Sequence, residues 1–136
     1  IVTVNKEIDG FILNRLQGAL LNEAMRLYSE GYASSEDIDA TIKDGLGLRW
    51  AFMGPFETID LNAPGGIKDY MARYGSIFIE MAKSQTKIPD WSENAGKKLE
   101  LERRKVLSED DLEKRAKKRN FLLKQLRKLK IENDET

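Results

Sequence analysis

Apolar residues near the start of the chain recur every three or four positions, which is the spacing of one face of a helix. Asp9 is placed to cap this helix, which is expected to begin near Phe11. It should end before Gly31, because glycine commonly follows the last turn of a helix. The pattern predicts a first helix of about 20 residues, roughly 30 Å long at 1.5 Å per residue. Its apolar stripe contains Ile12, Leu16, Leu20, Ala24 and Leu27.

Shorter helical patterns follow, separated by glycine and proline. Ser34 is expected to cap a second helix that ends at Gly45, and residues 45–55 are expected to form a loop. Pro55 suits the first turn of a third helix, where the missing N–H is not needed. A fourth helix is predicted from Ile67 and is expected to pack against residues 11–44.

The last third of the chain is charged but still helical in pattern. Residues 91–106 form one predicted helix with Asp90 as its cap, and Ser108 begins a capping sequence for the final helix. No run of alternating β-branched residues is present, so no strand is predicted. The fold class is therefore all-α, with five to seven helices.

Composition narrows the picture mainly by exclusion. The 136 residues are 40% hydrophobic and 34% charged, which predicts one helical domain over residues 1–136, with its core at 8–106 and a long charged helix at 108–131. The chain has no Cys and no His, which excludes thiolate chemistry, a His general base and most zinc sites. No apolar run approaches the roughly 18 residues that span a bilayer, so no membrane partner is expected. The first residue is Ile1 rather than Met, and we expect a piece of a longer protein.

Charge is balanced overall but unevenly distributed. Lys and Arg total 23 and Asp and Glu total 23, yet residues 1–96 carry a net charge of −5 and residues 97–136 a net charge of +5. A basic tail could attract nucleic acid. However, its charges alternate in sign, as in residues 100–105, and this pattern favours a solvated helix face. We therefore expect no nucleic-acid partner.

Asn14 occupies an unusual polar position in the predicted first helix. Gly18 and Asn22 follow it at intervals of one turn, so the three residues point in nearly the same direction. Glycine inside a helix costs roughly 1 kcal/mol relative to alanine and is tolerated where something must approach closely. Two interpretations remain open: tight packing against a neighbouring helix, or an open polar strip where a ligand or another domain docks.

Arg49 lies in an otherwise apolar segment beside Trp50 and Phe52. One interpretation is an internal salt bridge or stacking on Trp50. The other is recognition of an acidic substrate, because the guanidinium fork matches a carboxylate. The nearby Gly45 and Gly47 begin like a dinucleotide-binding fingerprint, but the third glycine and the preceding strand are missing.

Several segments together resemble the C-terminal domain of the 3-hydroxyacyl-CoA dehydrogenase family. They are Asp9-Gly10-Phe11-Ile12-Leu13-Asn14-Arg15-Leu16, Glu23-Ala24, Glu30-Gly31, Ser35-Glu36-Asp37-Ile38-Asp39 and Gly54-Pro55-Phe56-Glu57. The resemblance implies a helical dimerisation domain of the 6-phosphogluconate dehydrogenase C-terminal-like type. It also implies a separate N-terminal Rossmann domain, absent from this chain, that binds NAD and supplies a catalytic His–Glu pair. This chain by itself is then expected to bind no cofactor and no metal, and to be inactive.

Within the family, residues 45–55 and 58–63 look most like the lambda-crystallin branch, which oxidises L-gulonate at the 3-hydroxyl. The Asn of the family's Asn-Arg-Leu motif corresponds to Asn14, which implies that Asn14 orients the substrate and the catalytic His. Arg49 has no counterpart in the acyl-CoA pattern, and we interpret it as a ligand of the sugar-acid carboxylate. The expected partners are a second copy, the Rossmann domain and a small hydroxy acid, in a cytoplasmic enzyme.

Two other functions remain open for the same fold. The whole protein could be a short-chain 3-hydroxyacyl-CoA dehydrogenase, or the domain could be a crystallin-like structural and dimerisation module. Activity on acetoacetyl-CoA but not on gulonate would favour the first. A stable dimer of this chain would favour the second without excluding catalysis by the whole protein. Which nicotinamide cofactor is used depends on a ribose contact outside these residues.

Overall fold

A computed structural model describes residues 2–133, and the all-α prediction is confirmed. Within that range there are helices and connecting turns but no strand. The elements are α1 (Phe11–Ser29), α2 (Ser35–Thr41), a π-helical turn (Ile42–Leu46), α3 (Gly47–Trp50), α4 (Pro55–Leu61), α5 (Gly66–Ser84), α6 (Glu93–Val106), a 3₁₀ turn (Glu109–Asp111) and α7 (Leu112–Asn133).

The helix α1 begins at Phe11 as predicted, but Asp9 does not cap it. Gly10 is the residue at the cap, with φ of 84°, and no side chain accepts a hydrogen bond from the first turn. Phe11 itself has φ of 52°, and its N–H donates to the carbonyl of Ile8 at 3.2 Å. The chain thus enters α1 through two left-handed residues, a bend that places the Asp9 side chain outside the capping position.

The other end of α1 confirms the role predicted for Gly31. Gly31 has φ of 79°. Its N–H donates to the carbonyl of Tyr28 at 3.1 Å, and the N–H of Tyr32 reaches back to Leu27 at 2.9 Å. This pair of bonds is a Schellman motif, in which a left-handed residue satisfies the last carbonyls of a helix.

The prediction that Gly45 ends the second helix is wrong. Of the loop predicted at residues 45–55, only residues 51–54 lie outside helical turns. Ser34 caps α2 as expected, accepting from the N–H of Asp37 at 3.1 Å. The helix then widens into the π turn, and the N–H of Gly47 donates to the carbonyl of Ile42, five residues back. A Cβ on Gly47 would lie 2.8 Å from that oxygen. Glycine at 47 therefore allows the wide turn to continue into α3.

The helices α4 and α5 form a tightly connected pair. Pro55 is the first residue of α4, as predicted, and the Asp60 carboxylate accepts from the backbone N–H of Ile67 at 2.7 Å, at the start of α5. The chain reverses at Gly66, whose φ is 74° and whose added Cβ would lie 2.8 Å from Asp60. The main packing partner of α5 is therefore α4, and the predicted packing against residues 11–44 is wrong.

Two predicted caps in the charged region are also wrong. Ser92, rather than Asp90, caps α6 by accepting from the N–H of Ala95 at 3.3 Å, while Asp90 accepts from the N–H of Ser92 at 2.8 Å. Ser108 lies at the start of the 3₁₀ turn that leads into α7, but its side chain accepts no hydrogen bond from the first turn, and its hydroxyl donates to the Asp111 carboxylate at 2.9 Å. The helix α6 packs on α2.

The chain leaves most of its apolar surface uncovered. It exposes 11777 Å² to solvent, whereas a compact monomer of 15.6 kDa exposes about 7,200 Å². Among the described residues, the buried apolar side chains are Met25 and Ala63 alone. The stripes of α1 and α5 therefore find no cover within this chain, and the division predicted from composition into a core at 8–106 and a helix at 108–131 stays a prediction.

The left-handed position at Gly31 gives a direct test of this helix end. Gly31→Ala should lower the free energy of unfolding by about 1 kcal/mol, because a Cβ disfavours positive φ. Gly96→Ala is the matched control, since Gly96 lies within α6 and a Cβ there meets open space. That substitution should leave stability unchanged or raise it by up to about 1 kcal/mol. Urea unfolding of both variants measures the difference, and equal effects would contradict the assigned role of Gly31.

Candidate functional site

Asn14 lies in the first turn of α1, where its side chain is exposed. Gly18 follows one turn later, and a Cβ built there meets no atom within 4 Å. The interpretation of tight helix packing is therefore not realised within this chain. At the far end of the strip, Asn22 is occupied, because its Oδ1 accepts from Trp91 Nε1–H at 3.0 Å. The open part of the polar strip is Asn14 and Gly18.

The backbone just before Asn14 is strained. Left-handed φ at a non-glycine residue such as Phe11 costs on the order of 1–3 kcal/mol. Gly10 takes the same region without that cost, and its ideal Cβ direction points at the Arg15 and Asn14 side chains, 3.6 and 3.9 Å away. The bend at Gly10 and Phe11 thus lies next to the side chains of Asn14 and Arg15.

Arg49 is exposed on α3. Within residues 2–133 its guanidinium has no ion-pair partner, no side-chain hydrogen bond and no cation–π contact with Trp50. Its neighbours Leu48, Trp50 and Phe52 are exposed as well. Neither the internal salt bridge nor the stacking interpretation therefore fits this chain. The N–H donors of Arg49 are therefore available to a ligand and are surrounded by exposed apolar side chains.

The structure does not bring Asn14 and Arg49 into one pocket. In the described part of the chain, α1 packs on α2, whereas α3 packs on the π turn and α4. The larger grooves lie elsewhere: one of about 440 Å³ runs between α1 and α6, lined by Met25, Tyr28, Asp90, Lys98 and Leu101 among others.

A hydrogen-bonded carboxylate between α2 and α6 was not predicted from the sequence. Glu102 Oε1 accepts from the backbone N–H and from the hydroxyl of Ser35, both at 2.9 Å. The Ser35 N–H, and then the Tyr28 and Ser35 hydroxyls, lower the pKa of Glu102. Burial, followed by the same carboxylate, raises the pKa of Tyr28. Glu102 thus stabilises the positive end of α2, although its segment has the charge pattern of a solvated face.

Comparison with known proteins places this arrangement in a family. A sequence model described as the 3-hydroxyacyl-CoA dehydrogenase C-terminal domain matches residues 10–108. The chain belongs to the 3-hydroxyacyl-CoA dehydrogenase family. The matched range runs from the bend before α1 to the end of α6 and includes Asn14, Arg49 and Glu102.

Relatives within the 3-hydroxyacyl-CoA dehydrogenase family are similar over nearly the whole chain. Lambda-crystallin of Oryctolagus cuniculus is 44% identical over 95% of this chain and 41% of its own length. A 3-hydroxyacyl-CoA dehydrogenase of Gibberella moniliformis is 34% identical over 92% of this chain and 40% of its own. An L-carnitine dehydrogenase of Oceanobacillus iheyensis is 32% identical over 90% of this chain and 40% of its own. The resemblance to the family and to its lambda-crystallin branch is confirmed, and the chain spans about two fifths of the length of these relatives.

Residues 45–50 do not form a dinucleotide-binding turn. A dinucleotide site needs free N–H groups in a glycine-rich turn between a strand and a helix. Here Gly45 and Gly47 lie inside helical turns, and the N–H of Gly47 is bonded to Ile42. The rejection of a phosphate loop at residues 45–50 is therefore supported by the backbone hydrogen bonds.

Residues 2–133 hold neither an acidic metal-binding cluster nor a membrane-spanning helix. No group of three or more Asp or Glu side chains in that range is arranged to hold a metal ion. No helix in the same range is both long and apolar enough to cross a membrane.

The hydrogen bonds of Glu102 with Ser35 and Tyr28 predict that stability depends on pH. A carboxylate whose folded pKa lies below its unfolded value stabilises the fold above the unfolded pKa, and this contribution is lost as pH falls through the folded pKa. Glu102→Gln should therefore lower the urea midpoint at pH 7, and the difference from the parent chain should shrink below about pH 4. Glu100→Gln, at an exposed position of the same helix, should have little effect at either pH. A deficit of equal size at pH 7 and pH 3 would contradict the charged role of Glu102.

Proposed function

We propose that these residues form the substrate-cleft and dimerisation domain of an NAD-dependent dehydrogenase of small 3-hydroxy acids, with L-gulonate oxidised at its 3-hydroxyl. The NAD-binding fold, the hydride acceptor and the catalytic base are proposed to lie in the remaining part of the whole protein. This agrees with a chain that lacks His and spans 41% of the length of the rabbit relative. This chain is proposed to bind the substrate and to orient its reacting groups.

The substrate class is inferred from the guanidinium of Arg49, which has no partner within residues 2–133. An Arg with exposed N–H donors, flanked by apolar side chains, is suited to hold a carboxylate by paired charged hydrogen bonds. L-gulonate and L-carnitine are both carboxylic acids with a hydroxyl on the third carbon. A relative named L-carnitine dehydrogenase aligns with 90% of this chain, which supports a free acid as the ligand of Arg49.

Asn14 is proposed to orient the reacting groups. Its amide can donate one hydrogen bond and accept another at the same time, and Gly18 leaves the space beside it open. We infer that the substrate hydroxyl and the catalytic side chain of the other domain meet over this part of α1.

A second copy is the proposed cover for the apolar stripes. The surface that this chain exposes beyond that of a compact monomer is about 4,500 Å², and obligate dimers bury roughly 2,000–5,000 Å² in total, or about 1,000–2,500 Å² from each chain. A dimer and the nucleotide-binding domain together can account for that surface. The exposed apolar residues most suited to such contacts lie on α1 and α5, and include Phe11, Leu13, Leu16, Met71, Ile77 and Ile79.

The alternative substrate class is a short-chain 3-hydroxyacyl-CoA, supported by the relative from Gibberella moniliformis. The reacting end of such a substrate is a thioester and carries no carboxylate. Arg49 would then have no ligand at that end, and its removal would leave turnover unchanged. The two classes are therefore separated by the same substitution.

In the whole enzyme, Arg49→Ala should raise the KM for L-gulonate by more than ten-fold and change kcat much less. A hydrogen-bonded charge pair contributes about 1.5–3 kcal/mol, which corresponds to roughly a 10- to 100-fold change in binding. Asn14→Ala should show the opposite pattern, with kcat reduced about 100-fold by lost orientation. Steady-state kinetics with L-gulonate and with acetoacetyl-CoA measure both effects.

Arg49→Lys is the matched control for this experiment. It keeps the positive charge but loses the fork, so it should recover only part of the affinity. A KM change below two-fold in Arg49→Ala would contradict the carboxylate role. Activity on acetoacetyl-CoA that is insensitive to Arg49, without activity on gulonate, would establish the alternative.

A further inference from the structure

The last helix, α7, stands apart from the rest of the chain. Its 22 residues extend about 33 Å at 1.5 Å per residue. It packs on the adjoining 3₁₀ turn and has no comparable contact with another described helix. A helix of this length gains little stability by itself in water, because most helical stability in proteins comes from packing an apolar face. The position of α7 therefore requires a surface that this chain does not supply.

One side of α7 carries most of its leucines. Leu112, Leu122, Leu123 and Leu129 are all exposed. At 100° per residue they fall within less than half of the helix circumference, together with Ala116 and Leu126. We call these six residues the α7 stripe. Arg115, Arg119 and Lys130 lie in the same arc, so an occupant of this face must combine apolar and acidic groups.

The charge of α7 is opposite to that of the rest of the described chain. Residues 112–133 contain nine basic and two acidic side chains, whereas residues 2–111 contain 14 basic and 19 acidic ones. Pairing of α7 with α7 from a second copy would bring two strongly positive helices together, which is unfavourable. The body of a second copy, defined as residues 2–111, offers the opposite charge.

The chain's own body does not close on the α7 stripe. An open groove of about 860 Å³ lies along the α7 stripe, and its lining includes Lys43 from the body and Arg115, Lys118 and Arg119 from α7. Repulsion between these cations opposes closure of the groove on itself. An occupant with acidic and apolar side chains would neutralise the cations and fill the groove. The body has such surfaces, since α4 exposes Phe56 and Leu61 beside Glu57.

We propose that α7 is an arm that lies across the acidic body of a second copy, with the α7 stripe facing that copy. The proposal rests on the proposed dimer and adds to it the element that crosses between the two chains. Each protomer would then receive the arm of the other, as the symmetry of a two-fold interface requires.

The absence of Cys allows a direct crosslinking test. Gln125→Cys places a benzophenone label at the edge of the α7 stripe, and Lys117→Cys places it on the opposite face as the control. Equal amounts of ¹⁴N- and ¹⁵N-labelled chains are mixed, and native mass spectrometry first establishes that mixed-isotope dimers have formed. After illumination, crosslinked peptides are identified by mass spectrometry.

The proposal expects mixed-isotope crosslinks from position 125 to residues 2–111, at least five times more abundant than those from position 117. Same-isotope crosslinks alone would mean that α7 folds back on its own chain and would overturn the proposal. Mixed-isotope crosslinks between two α7 helices would overturn it as well. So would preferential crosslinking to lipid when vesicles of phosphatidylserine and phosphatidylcholine are added.

The same experiment separates this proposal from the proposed dimer. Mixed dimers without crosslinks from position 125 to the body would overturn the arm and leave the dimer intact. Absence of any dimer at all concentrations would overturn both. As a second readout, Leu122→Ser with Leu126→Ser should shift the monomer–dimer equilibrium toward monomer by at least ten-fold. The same number of changes outside the stripe, at Phe121 and Ile131, should shift it less.

Discussion

The whole structure depends on apolar surface that one chain cannot bury. Seven α-helices within residues 2–133 form with sound local geometry, yet few side chains are enclosed. Folding must offset a backbone entropy cost of about 1–2 kcal/mol per residue, and burial is the dominant favourable contribution. In the assembly that we propose, other surfaces cover the apolar residues that α1, α5 and α7 expose.

Features set by neighbouring residues were predicted well from the sequence. The start of α1 at Phe11, the Schellman end at Gly31, the Ser34 cap and Pro55 at the start of α4 each depend on a few adjacent positions. The Asp9 cap failed because the left-handed bend at Gly10 redirects the chain. The π turn was missed because glycine at 45 and 47 signals a break in general, whereas Gly47 here admits a wide turn through its contact with Ile42.

The residues of the candidate site differ in the same way, because some stand out against their sequence neighbours and others depend on distant contacts. Asn14 and Arg49 could be selected from sequence because a polar residue in an apolar stripe, and a cation in an apolar segment, stand out against their neighbours. Glu102 could not, because its partner Ser35 is 67 residues away and its own segment has the alternating charges of a surface helix. Membership of the 3-hydroxyacyl-CoA dehydrogenase family was accessible through short motifs, while the pairing of α5 with α4 depends on tertiary contacts that periodicity does not encode.

The central claim is that a second copy covers the apolar faces of this chain. Light scattering over a dilution series of the 136-residue chain tests it most directly. The account predicts a mass of about 31 kDa, twice the 15.6 kDa of one chain, that falls toward the monomer only at high dilution. A mass of 15.6 kDa at every concentration, with the helices still folded by circular dichroism, would contradict it.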